Sequence, residues 1–96
     1  MKRIECQGKS ILTTTAVAEA VADFYAAAHR RGRTVRVDVP AVDHDRPHVP
    51  LVLTPGETLT LRDCPMRPVE LDATHLIESL ATRQSAWLPR VGRTHA

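Results

Sequence analysis

Residues 34–61, TVRVDVPAVDHDRPHVPLVLTPGETLTL, constrain this chain more than any other stretch. Val35, Val37, Val39 and Ala41 alternate with Arg36 and Asp38; Val49, Leu51 and Leu53 alternate beyond a short polar segment. A period of two puts one face of each run toward a core and the other toward water, which predicts a β-hairpin. Thr54-Pro55-Gly56-Glu57 reads as a turn and Thr58–Leu61 as a short further strand. Proline donates no ladder bond, so Pro40 and Pro50 require an edge strand or a bulge near the hairpin tip.

The remaining pattern supplies a second hairpin and two helices. Residues 3–13 place Ile4 and Cys6 before Gln7-Gly8-Lys9, and Ile11 and Thr13 after it. Residues 15–31 carry Val17, Ala20, Val21, Phe24, Ala27 and Ala28 at helical spacing. Thr14 or Thr15 suits the N-cap and Gly32 the C-terminal stop. Residues 63–70, with Pro65 and Pro68, read as a connector. A second helix is expected from about Asp72, its N-cap, to about Trp87, with Ala73, Leu76, Ile77, Leu80, Gln84 and Trp87 on its apolar face. The expected fold is α+β: a two-layer ββαββ(α) domain, with a mostly antiparallel four-stranded sheet and the helices on one face. Residues 1–88 form this single domain and 89–96 a flexible basic C-terminal tail.

At 96 residues and 43% apolar, the chain supports one modest core. Phe24, Tyr25 and Trp87 are its aromatic residues, so aliphatic side chains must fill that core. The formal charge of +2 is small for a nucleic-acid domain. Two cysteines without a secretory signal suit a reduced, cytoplasmic protein, and no apolar run is long enough to span a membrane. Walker, dinucleotide, nucleophile-elbow, H-E-x-x-H and C-x-x-C motifs are absent.

Three groups of residues are candidates for function. Asp43, His44, Asp45 and His48 cluster at the hairpin tip with oxygen and nitrogen donors that suit a divalent metal. Asp also favours turns, so a solvated tip accounts for the same residues. No other cofactor is expected. Arg30, Arg31, Arg33 and Arg36 could contact an anion, a nucleic acid or an acidic partner. The absence of aromatic stacking platforms beside them argues against nucleic acid. Leu76, Ile77, Leu80 and Trp87 form a stripe on the second helix that serves either as core or as a dimer surface. Cys64, flanked by Arg62 and Arg67, reads as a structural thiol, and Cys6 as a core residue.

Ile4-Glu5-Cys6, the Ala-rich run Ala16–Ala28, Val37–Val42 and Leu51-Val52-Leu53-Thr54-Pro55-Gly56 follow in an order that resembles short uncharacterised proteins of GC-rich bacteria. The resemblance spans roughly residues 2–82 and implies no activity. The expected function is therefore a cytoplasmic binding or assembly module, homodimeric and without catalysis. A metal-binding protein or small metal-dependent enzyme using residues 43–48 is the alternative, and an acidic-partner or nucleic-acid binder using residues 30–36 is another.

Overall fold

The computed structural model describes residues 1–43, 45–65 and 73–86. The chain begins with a hairpin of β1 (Lys2–Cys6) and β2 (Lys9–Thr13). Its two-residue turn holds Gln7 at φ 54° and Gly8 at φ 76°, the paired positive values that match the twist of the flanking strands. α1 (Thr15–Arg30) follows, and Thr14 Oγ1 accepts the Val17 N–H at 3.2 Å as its cap. At the other end, Arg33 N–H bonds to the Ala28 carbonyl at 2.9 Å and Gly32 N–H to that of His29 at 3.1 Å. This closure needs the positive φ of 63° that Gly32 adopts. Then come β3 (Val35–Pro40), β4 (His48–Leu53), β5 (Leu59–Asp63) and α2 (Thr74–Ser85).

The fold is α+β, but the expected four-stranded sheet does not form. Among the described residues five strands make two antiparallel sheets, one ordered β2-β1-β5 and the other β3-β4. β1 is the central strand of the larger sheet. The separation follows from ladder phase. Ala41 N–H donates to the Pro47 carbonyl at 2.9 Å, so residues 36, 38 and 40 aim their backbone groups away from β4, and 48, 50 and 52 aim theirs away from β3. Both strand prolines fall in the outward set. Neither costs a ladder bond, and the register runs unbroken from Val35–Leu53 to Pro40–His48, with no bulge.

The outer edge of β4 faces the first hairpin, yet Pro50 has no N–H with which to extend a backbone ladder. Side chains bridge the gap instead. Lys9 Nζ donates to the Pro50 carbonyl at 2.9 Å and Gln7 Nε2 to that of Val52 at 2.8 Å.

The core joins both sheets to α1. Ile4, Cys6 and Ile11 come from the larger sheet, Val37, Val39, Leu51 and Leu53 from the smaller, and Val17, Val21, Phe24 and Ala28 from α1. Leu80 of α2 completes it at 1% exposure. Burial pushes the Cys6 thiol pKa up, which keeps it protonated and unreactive, as its inward place on β1 suggested.

Thr13 Oγ1 is buried with no hydrogen-bond partner among the described residues. Replacing an unmet buried hydroxyl by a methyl of the same shape removes a desolvation cost. Thr13→Val should therefore raise the unfolding free energy by about 1 kcal/mol in a urea titration; a loss of stability would mean the hydroxyl is satisfied.

A clasp fixes the approach to β5. The turn at residues 54–57 closes through Glu57 N–H to the Thr54 carbonyl at 3.1 Å, with Gly56 at φ 91°. From α1, the Tyr25 hydroxyl lies between the carbonyls of Thr54, at 3.1 Å, and Glu57. His29 Nδ1 accepts the Gly56 N–H at 3.1 Å. Tyr25→Phe should lower stability by about 1 kcal/mol, because two carbonyls lose one shared donor. A melting curve identical to that of the wild type would show that the clasp contributes nothing.

α2 is shorter than its expected span of 72–87; its N-cap is Ala73 rather than the expected Asp72, and no side chain caps it. Asp72 and Trp87 lie outside the described residues, as do most of the expected connector and the expected tail. Among the described residues no helix is long and apolar enough to cross a membrane.

Candidate binding surface

Two helical stripes face each other across a groove. Ala20, Asp23, Ala27, Arg30 and Arg31 recur along one side of α1, and Ile77, Leu80, Ala81, Gln84 and Ser85 along one side of α2. Three- and four-residue steps bring each set onto a single face. Together they line a groove of about 620 Å³. Its floor is apolar, through Ala20, Ala27, Ile77 and Leu80. Arg30 and Arg31 stand at one end of the α1 stripe and Asp23 nearer the other.

A second hollow, of about 480 Å³, opens where the chain leaves α1 and enters β3. Arg33, Thr34, Val35, Arg36, Arg83 and Ala86 line it. Arg83 makes two contacts across the fold. Its guanidinium carbon lies 4.5 Å from the centroid of the Phe24 ring, and its Nη1 donates to the outward Arg36 carbonyl at 3.3 Å. It thus caps an unpaired group on the β3 edge while keeping its charge at the rim. Arg36 reaches Asp38 at 3.4 Å, but both side chains are well exposed and such a pair contributes little. The structure therefore adds Arg83 to Arg30, Arg31, Arg33 and Arg36. Sequence reading missed it because the contact with Phe24 joins two helices far apart in the chain, and no local pattern marks it.

The hairpin-tip residues divide. Asp43 is engaged: Oδ2 accepts from Arg3 Nη1 at 3.0 Å and Oδ1 from the Leu12 N–H at 3.1 Å. The same Arg3 Nη1 also donates to Ser10 Oγ at 3.0 Å, and the Asp43 carboxylate raises the Arg3 pKa further above neutrality. Val42 N–H donates to the Leu12 carbonyl at 3.0 Å, so residues 42 and 43 cover the outer edge of β2. Asp45 and His48 instead share an open hollow with Arg46, Val49 and Pro50. His44 lies outside the described residues. Among the described residues no three His, Cys, Asp or Glu side chains gather as a metal ion requires.

The stripe on α2 is turned inward. Leu80 is core, and Leu76 and Ile77 are half-buried against the same cluster. His75 is exposed and borders a hollow with Asp38, Pro40, His48, Leu76 and Ser79. Cys64 is a free, half-buried thiol; Arg62 beside it reaches Glu5 at 3.3 Å, and Arg67 lies outside the described residues.

No family model, curated protein or solved structure matches this chain.

Proposed function

We propose that this protein is a non-catalytic binding module whose α1–α2 groove receives an acidic, amphipathic segment of a protein partner. The observation that carries the reading is an apolar groove floor with five arginines, Arg30, Arg31, Arg33, Arg36 and Arg83, along the groove and the adjoining hollow. An apolar floor favours a partner with an apolar face, and guanidinium groups at the rim select carboxylates through paired N–H donors. Asp23, on the same α1 stripe, disfavours an acidic side chain at its end, which would set the direction of the bound segment. Two free thiols, Cys6 and Cys64, suit a reducing compartment such as the cytoplasm.

A protein partner fits better than nucleic acid. Among the described residues the aromatic ring next to this surface is Phe24, which is wholly buried beneath Arg83 and offers no face for a base. The test is a calorimetric titration with two probes of similar length, an amphipathic Glu/Leu helical peptide and a single-stranded oligonucleotide. The peptide should bind more tightly, and raising salt from about 50 to 300 mM should weaken it severalfold, as screening of exposed charges requires. Equal affinity for both probes, or no heat with the peptide, would overturn the assignment.

A further inference from the structure

We propose that the outer edge of β5, which no described strand covers, is a second interaction surface, and that its occupant is β5 of another copy of this chain, paired antiparallel about a two-fold axis at Leu61. Ladder phase identifies the edge. Cys64 N–H donates to the Met1 carbonyl at 3.1 Å, so Met1 and Cys64 are a bonded pair. Along the β1–β5 register, Arg62 and Thr60 then turn their backbone groups to β1. Leu59, Leu61 and Asp63 turn theirs away from it, and among the described residues no strand lies beyond β5.

The other strand edges are engaged, each by a different device. Val42 and Asp43 bond Leu12 on the outer edge of β2. Lys9 and Gln7 take the outward carbonyls of β4, and Pro50 removes one of its donors. Arg83 bonds Arg36 on β3, where Pro40 likewise offers no N–H. β5 carries neither proline nor bulge, and a regular edge that no described residue covers is a template for another strand.

The sequence of β5 is suited to its own copy. In the two-fold register Leu61 faces the partner's Leu61, Leu59 faces the partner's Asp63, and Thr60 faces the partner's Arg62. Each outward residue then meets an outward residue and exchanges both bonds. No charge stands opposite its like, and the Arg62 charge is already met by Glu5. On the core-facing side, Ile4 lies beside Leu61, so the pairing would continue that apolar row across the seam. Leu59 and Leu61 pack on the core yet remain only half-buried in the single chain. A lone strand ladder is a small interface, so association should be weak, with a dissociation constant on the order of 10–100 µM.

No residue of β5 lines the arginine groove or the hollow of Arg33, Arg36 and Arg83, so either proposal can fail alone. The test is sedimentation equilibrium of the full chain from about 10 µM to 1 mM, with Asp63→Pro and Asp63→Ala beside the wild type. Asp63 is 87% exposed and its N–H is in the outward set, so proline there removes a bond across the seam and none to β1. Asp63→Ala loses only the Lys2 pair and keeps the N–H. The expected result is a wild-type monomer–dimer equilibrium, retained in Asp63→Ala and weakened tenfold or more in Asp63→Pro. Amide exchange of the wild type gives a readout that needs no variant. Leu59, Leu61 and Asp63 should slow as concentration rises, while Thr60 and Arg62 are protected throughout. A monomer at 1 mM, a dimer indifferent to Asp63→Pro, or exchange at Leu59 and Leu61 independent of concentration would overturn the proposal.

Discussion

Phe24→Ala is expected to lower the unfolding free energy by about 3–5 kcal/mol, the largest loss from any single truncation among the described residues. Phe24 is fully buried and heads the fully buried side chains by volume. It projects from α1, the helix whose residues meet both sheets in one cluster. The cost combines lost transfer energy with a cavity whose walls, built on two strand ladders and a capped helix, have little freedom to collapse. A domain of this size has roughly 5–15 kcal/mol in total, so the variant should sit near the limit of folding. Phe24→Leu separates two contributions. It keeps most of the volume and should cost about 1–1.5 kcal/mol, but it removes the ring beneath Arg83. Urea titrations measure both. A loss below about 1.5 kcal/mol for Phe24→Ala would show that α1 does not seat the core as described.

The second large effect concerns binding. Arg31→Gln with Arg36→Gln should weaken an acidic amphipathic peptide roughly tenfold, with little change in stability, because each exposed contact contributes about 0.5–1 kcal/mol. Both side chains are exposed. Glutamine avoids placing a carboxylate at the C-terminal end of α1, where the dipole would penalise it. The matched control is Arg46→Gln with Arg62→Gln, which removes two exposed arginines elsewhere on the surface. It should change affinity less than twofold. If both pairs weaken binding equally, net charge rather than this surface attracts the peptide.

The sequence was legible where structure is local. The alternation at Val35–Val39 and at Leu51–Leu53 gave both strands of the second hairpin, and Gly8 marked the tight turn of the first. Thr14 and Gly32 bounded α1 within a residue. What alternation does not encode is which strands pair when they are distant in the chain. Leu59 and Leu61 signalled a strand, but nothing local named β1 as its neighbour, so the larger sheet was unforeseen. The prolines were read as marking either an edge strand or a bulge; the edge is what forms and no bulge does, because of ladder phase. Pro40 and Pro50 both point outward, and Pro50 leaves the β4 edge facing the first hairpin one backbone donor short.

The candidate sites show the same division. Periodicity placed Ile77 and Leu80 on one helix face without saying whether that face packs within the chain, and Leu80 is core. Arg30, Arg31, Arg33 and Arg36 were visible as a run, whereas Arg83 joins them only through tertiary packing on Phe24. Asp43 was visible as a donor, but its engagement with Arg3 and Leu12 depends on the tip folding back onto β2.

Chemical-shift mapping tests the binding surface most directly. Isotope-labelled protein is titrated with the Glu/Leu peptide at low salt, while backbone amides and arginine Nε–H groups are followed. If the groove is the binding surface, the largest changes fall on Ala27, Arg30, Arg31, Ile77, Ala81 and Gln84, with Arg33, Arg36 and Arg83 Nε–H shifting alongside. Changes centred on Asp45 and His48, or spread evenly over the surface, would contradict it.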